Sequence, residues 1–216
     1  VATQSADSGA SNVVVVGAGA AGLATAIFAR RFNPDLRMVA LDGAKKPGAK
    51  ILVSGGSRCN VTNRSVEERD FWGGRRTIIR RVLRSFPAAQ TIDWFRDLGV
   101  PLHEEPGGKM FPDSNQSRDV LHALVREAAA RGVMLHTDQR VLDVHRQDAG
   151  FLVETLRGNV TAQRVVMATG GRSLPKTGSD GAGYQICARL GHTIVSTTPA
   201  LVPLVLDDRQ SFHREV

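Results

Sequence analysis

The residues best suited to chemistry begin at position 17. Gly17-Ala-Gly19-Ala-Ala-Gly22 is a GxGxxG fingerprint that follows the β-branched run Asn12–Val16 and opens an Ala-, Leu- and Ile-rich segment. In such a turn the first glycine permits the tight reversal. The second lets the backbone approach a pyrophosphate, and the third lets a helix pack closely on the strand. The helix N-terminus then offers free N–H groups and a positive dipole end to phosphate. Asp42 lies twenty residues beyond Gly22, at the end of the next apolar run. A carboxylate there accepts hydrogen bonds from a ribose diol and repels a 2′-phosphate, which disfavours NADP at this place. A plain turn aspartate is the alternative.

A second chemically dense stretch runs from Lys50 through Ser54-Gly55-Gly56-Ser57-Arg58-Cys59-Asn60 to Asn63. Its backbone N–H groups, with Lys50 and Arg58, suit a diphosphate or the edge of a flavin ring. A third runs Val165-Val-Met-Ala168-Thr169-Gly170-Gly171 and on to Gly183-Tyr184, a strand that ends abruptly in glycine. Cys59 beside Arg58 reads either as a reactive thiol, its pKa lowered by the cation, or as a packed one. The histidines show no HxH or HExxH spacing, so no metal site is expected. Ser54, Ser57 and Ser173 lack the G-x-S-x-G elbow of a hydrolase. His103, next to Glu104 and Glu105, reads as an ordinary exposed loop in preference to a polar cluster at a cleft.

The elements that must position these groups follow from periodicity. Asn12–Val16 reads as a buried parallel strand, Ala20–Arg31 as a helix stopped at Asn33-Pro34, and Leu36–Leu41 as a second strand. Together they make one βαβ unit. Gly43–Asn63 reads as a long functional loop. Helices are expected near Thr77–Ser85, Ala88–Asp97 and Val120–Ala128. Strands are expected at Val133–His136, Val141–His145, Phe151–Thr155 and Val160–Met167, joined by short turns. A helix over Gly183–Leu190 and a strand over His192–Ser196 complete the series. Trp72 and Trp94 sit among helical apolar residues and read as core.

Composition narrows the class. The chain has 216 residues, 42% apolar and 23% charged, with Lys+Arg 28 against Asp+Glu 21, a net charge of +7. That is ordinary globular usage and enough chain for a sizeable core. Cys59 and Cys187 are too far apart for a CxxC cluster, and two cysteines make no disulfide scaffold. They are compatible with a reducing compartment, and the expected location is cytoplasmic. No apolar run approaches the ~20 residues of a membrane span, and no membrane partner is expected. Val1–Ser11 is small and polar, unlike a signal peptide, and reads as a disordered tail. Arg75, Arg76, Arg80, Arg81 and Arg84 crowd one segment in which Ile78, Ile79, Val82, Leu83 and Phe86 recur at helical spacing. The arginines form either the solvated face of an amphipathic helix or an RNA or phosphate surface.

Taken in order, GAGAAGL, Asp42, Lys50-Ile-Leu-Val-Ser-Gly-Gly-Ser-Arg-Cys-Asn, Glu104-Glu105…Phe111-Pro112, Ala168-Thr-Gly-Gly…Tyr184 and Pro199-Ala-Leu-Val-Pro-Leu204 resemble the BaiN/RdsA-type family of NAD(P)/FAD-dependent oxidoreductases. These belong to the flavoproteins with two dinucleotide-binding domains. The resemblance covers Val13 to Leu206, with two departures. Ser57 replaces the third glycine of a GGG, where a positive φ would carry strain. Asp180 and Ala182 stand where the family has Thr and Asp.

The resemblance implies an α/β fold: a Rossmann-like FAD-binding parallel sheet with a glutathione-reductase-like antiparallel meander near 133–167 and a small helical insertion near 65–131. It implies one FAD/NAD(P)-binding domain over 12–206, with 207–216 as the start of a second, missing domain. Cofactor contacts are then expected from Gly17, Ala18, Gly19, Ala20, Ala21 and Gly22, and from Asp42 and Gly43. Further contacts are expected from Lys50, Ser54, Gly55, Arg58, Cys59 and Asn60, from Val141, and from Ala168, Thr169 and Gly170.

No catalytic side chain is singled out. The first functional expectation is an oxidoreductase whose FAD passes hydride from NAD(P)H to an unsaturated small molecule. The second is an RNA-modifying or RNA-binding flavoprotein that reduces a base, with the Arg75–Arg84 segment on the nucleic acid. The third is a dinucleotide-binding remnant without activity. Members of the family run on past the PALVPL segment, so the chain resembles their N-terminal half. Self-association through the surface left by the missing C-terminal half is expected.

Overall fold

The computed structural model describes residues 11–199. The tail before Ser11, most of the PALVPL segment and residues 207–216 lie outside them.

Strand β1 (Ser11–Val16) runs into helix α1 (Ala20–Phe32), and the chain returns as β2 (Met38–Leu41). Ser11, assigned above to the tail, is the first residue of β1 and is buried. Helix α2 (Ala49–Ser57) and the short β3 (Thr62–Asn63) occupy the stretch read as loop. The helix breaks within itself: Ser54 is extended and Gly55 and Gly56 are left-handed, so only its first turns are regular. Glycine spacing announces this break, but Ala49–Val53 has no polar periodicity to betray a helix.

Next come α3 (Arg76–Ser85), α4 (Ala88–Asp97), and a hairpin of β4 (Leu102–Glu105) with β5 (Lys109–Pro112). His103 to Glu105, expected in a loop, is therefore strand. β3 pairs with β5 as well, giving a small sheet in the order β3-β5-β4. The insertion is thus mixed rather than helical. Its strands are four residues or fewer and carry charged side chains, which hides them from pattern reading.

Helix α5 (Ser117–Ala130) leads to β6 (Met134–His136), β7 (Val141–Gln147), β8 (Gly150–Thr155) and β9 (Gly158–Met167). The main sheet has the order β6-β2-β1-β9-β8-β7. β6, β2, β1 and β9 are parallel, so β6 belongs to the parallel sheet and the meander begins only at Val141. β9 serves both parts. Gly158–Ala162 pairs antiparallel with β8, and Ala162–Met167 runs parallel to β1. Helix α6 (Ala182–Arg189) closes the described chain, and residues 192–199 hold no strand.

The four valines of β1 show why the sheet is buried on both sides. Val13 and Val15 join Leu23, Ile27 and Leu124 under α1 and α5. Val14 and Val16 join Val153 and Ile186 on the opposite face. Val14 and Val15 are fully buried, and each such side chain contributes about 1.5–3 kcal/mol relative to exposure. Trp94 packs against Phe28, Phe86 and Phe95 with ring centroids 4.9, 6.1 and 5.1 Å away. Trp72, by contrast, is 88% exposed. α3 buries no residue, and Ile78 and Val82 on its apolar face are 59% and 62% exposed. The expected division into wet and dry faces is present, and the dry face is only partly covered: Ile79, Leu83 and Phe86 are half-buried, with Phe86 packed on Phe28 and Trp94, while Ile78 and Val82 stay in water.

Candidate dinucleotide site

The fingerprint turn is built by exclusion. A Cβ on Gly17, whose φ is +104°, would lie 2.5 Å from the Ala168 carbonyl oxygen. One on Gly22 would lie 1.8 Å from the Gly17 carbonyl oxygen. One on Gly19 would meet nothing within 4 Å. Two glycines thus hold β1, α1 and β9 together, and the third faces open space. The first bond back into α1 is from Leu23 N–H to Gly19 O, 2.9 Å. The N–H groups of Ala20, Ala21 and Gly22 therefore have no partner within the helix.

Asp42 ends β2 beside this turn. Its Oδ2 accepts from Ala18 N–H at 2.8 Å and its Oδ1 from Ala44 N–H at 2.9 Å. Each carboxylate oxygen keeps a second lone pair. The approach to β7 backs onto the same turn, with Gln139 N–H donating to Asp42 O at 2.8 Å.

A cavity of about 1100 Å³ opens over these groups. Gly17, Gly19, Ala20 and Ala21 line one wall, with Asp42 and Gly43 beside them. Lys50, Ser54, Cys59 and Asn60 line a second wall, and Ala168, Thr169, Gly170 and Val141 complete the floor. Ala18, Gly22, Gly55 and Arg58 stand off it. Ala18 and Gly22 act from beneath, through the Asp42 bond and the close helix packing. Gly55 has no room for a side chain, because a Cβ there would lie 2.6 Å from Asn60 N.

Arg58 is used elsewhere. Its guanidinium makes a two-pronged pair with Glu105 and lies 4.2 Å from the Phe111 ring centroid. That pair holds the Glu105 carboxyl below its usual range. His103 stands by, its Nε2 3.7 Å from Glu105 and its Nδ1 3.4 Å from Asp113. The sequence reading put Arg58 on the cofactor; the structure uses it to tie the glycine turn to the β4–β5 hairpin.

Cys59 is buried, and burial pushes its thiol up, against a smaller opposing effect of a hydrogen bond with Ser54. Arg58, spent on Glu105, does not activate it, so the packed reading holds. Cys59 and Ser57 are both left-handed, with φ of +65° and +67°. Lys50 Nζ donates to Ser173 Oγ at 2.7 Å, joining the second glycine stretch to the third.

Several wall residues escaped sequence reading, Arg140, Phe86 and Trp94 among them. Arg140 lies beside Gly43, in a loop without any motif. Phe86 and Trp94 form an apolar end. Their helical spacing signalled core and nothing more.

The comparisons with known proteins bear on this arrangement. Residues 11–204 match the family described as HI0933-like protein Rossmann domain. The chain belongs to that family. Two relatives of the HI0933-like chain are a 3-dehydro-bile acid delta(4,6)-reductase of Clostridium scindens and a ribosomal RNA dihydrouridine synthase of Escherichia coli. The first is 34% identical over 190 residues, 88% of this chain and 46% of the relative. The second is 32% identical over 195 residues, 90% and 48%. The chain therefore spans about half the length of the curated relatives it matches.

Among solved structures, a flavocytochrome c3 fumarate reductase superposes with a TM-score of 0.59 at 19% identity, over 85% of this chain and 41% of that one. A 3-ketosteroid-delta4-(5alpha)-dehydrogenase from Rhodococcus jostii gives 0.57 at 19%, over 78% and 47%. These likenesses establish the fold, an α/β Rossmann-like sheet with an antiparallel meander. Among the described residues no helix is long and apolar enough to cross a membrane. No group of three metal-ligating side chains is found there either.

Proposed function

We propose that this HI0933-like chain carries the FAD site of an oxidoreductase that reduces an unsaturated small molecule with NAD(P)H. The observation that carries the reading is Gly19, open to solvent at the N-terminus of α1 and facing the cavity beside Asp42. The residues present fit the cofactor's adenosine half: unpaired N–H groups for the pyrophosphate, a carboxylate for the ribose diol, and Val141 at the opening of β7.

Bound FAD would supply hydride acceptance and donation. The protein's own part is to bind, orient and shield. The Gly17–Gly22 turn holds the phosphates, and Lys50 clamps the two later glycine stretches over the cavity. The Phe86–Trp94 end offers apolar cover. The relatives support the oxidoreductase class, since the first is a reductase.

A second reading is base reduction in RNA, which α3 favours with its exposed row of arginines and which the activity of the second relative suggests. RNA affinity that weakens steeply with added salt supports it; weak affinity insensitive to salt counts against it. The third reading, a remnant without activity, falls if the isolated chain steadily oxidises NAD(P)H.

The deciding experiment is the visible absorption spectrum of the purified chain with and without added FAD. Flavin bands that remain with the protein through gel filtration support the site. Gly19→Val is expected to keep the far-ultraviolet circular dichroism and lose at least about tenfold in FAD affinity, because a side chain would occupy the pyrophosphate's place. Wild-type protein that stays colourless with excess FAD overturns the reading.

A further inference from the structure

Arg140 and Asp180 face each other at the Asp42 end of the cavity. Arg140 Nη2 lies 2.6 Å from Asp180 Oδ2, and both side chains line the wall. Arg140 is the wall cation that packs against Gly43, the residue after Asp42. Its Cβ would sit 3.2 Å from a Cβ on Gly43, and its neighbour Gln139 bonds to the Asp42 backbone. Lys45 and Lys46, which follow in sequence, are exposed and lie off the cavity wall. The other oxygen of Asp180 accepts from Ala182 N–H at 3.1 Å, at the start of α6, which fixes the carboxylate in place.

The charges at this end follow from the pairing. With Arg140 held by Asp180, the pair is neutral as seen from the ribose, and Asp42 leaves a net negative charge. With the Asp180 carboxylate replaced by a neutral group, the end becomes neutral and Arg140 is free to act as a two-pronged donor, which is what a phosphate monoester needs.

We propose that Asp180 sets the ribose specificity of this site: by holding Arg140 it makes the site take a dinucleotide with a free 2′-hydroxyl and refuse one with a 2′-phosphate. The inference rests on the dinucleotide reading above. It extends that reading from Asp42, which repels the extra phosphate, to the pair that withholds the wall cation packed beside Gly43. The functional consequence is that a 2′-phosphorylated nicotinamide donor is kept out of the cofactor's own place.

The test is competition against FAD on the full chain, followed by flavin fluorescence anisotropy, with ADP-ribose and its 2′-phosphate as competitors. Wild type is expected to bind ADP-ribose at least about tenfold more tightly than the 2′-phosphate. Asp180→Asn retains an oxygen for Ala182 N–H and is expected to close most of that gap by improving the 2′-phosphate alone. Asp180→Ser, which also keeps an acceptor, serves if the first variant folds poorly. Adding Arg140→Gln to either should restore the wild-type ratio.

An unchanged ratio in a folded variant that still binds ADP-ribose overturns the inference and leaves the dinucleotide site standing. Equal affinity of wild type for the two competitors also overturns it. Failure of wild type to bind either FAD or ADP-ribose removes the site itself and the inference with it.

Discussion

Gly17, Gly19 and Gly22 share a motif but answer to different physics. A Cβ at position 22 has nowhere to go, since the obstacle at 1.8 Å is backbone. Gly22→Ala is therefore expected to destabilise the whole domain by several kcal/mol, about 3 or more. Equilibrium unfolding in urea would check it, and a midpoint near wild type would contradict the packing argument. Ser57 is the opposite case. Its φ of +67° is paid for without any evident gain, because its side chain is exposed. Ser57→Gly is expected to stabilise by up to about 1 kcal/mol, the left-handed penalty less the entropy glycine adds to the unfolded chain. The thermal midpoint should rise; a fall would mean that the hydroxyl has a partner role.

At the level of elements, the Arg58–Glu105 pair links the broken helix α2 to the β4–β5 hairpin. Arg58 holds Glu105 below its ordinary value of 4.5. A carboxyl so lowered contributes stability that is full above the unfolded pKa and is lost as pH falls through the folded one. The thermal advantage of wild type over Glu105→Gln should accordingly be present at pH 7 and vanish on acidification below the ordinary carboxylate range. Parallel stability curves for the two proteins would show that the pair contributes nothing. Both side chains are partly exposed, so the effect is expected to be modest. The Asp143–Arg189 pair, which lowers Asp143 in the same sense, ties β7 to α6 and should add to the same acid limb.

For the molecule as a whole, the apolar row of α3 is the feature least at rest in water. Ile78, Val82 and the nearby Trp72 and Phe71 are exposed together, and patches of this kind drive association. The isolated chain is expected to self-associate at high concentration, and Ile78→Ser with Val82→Ser is expected to reduce this without lowering the thermal midpoint. Light scattering checks it: a clean monomer of wild type at high concentration would refute the expectation.

What the sequence determined by itself was set by short-range rules. The βαβ order, the glycine turn and Asp42 were legible because strand and helix periods, and the exclusion of side chains from tight turns, act over a few residues. The three strands of the meander were legible for the same reason, as hairpins with marked turns. The tertiary structure alone decided the rest. Arg58 left the cavity for Glu105, forty-seven residues away. Arg140 entered the wall beside Gly43 because Asp138 and Gln139, just before it, bond back to Ala44 and Asp42. β6 joined the parallel sheet rather than the meander because an edge of β2 was free to pair. Trp72, apolar and placed among helical residues, stayed in water because no described element packs over it. Each of these depends on which distant group arrives at a given place, and a local pattern carries no record of that.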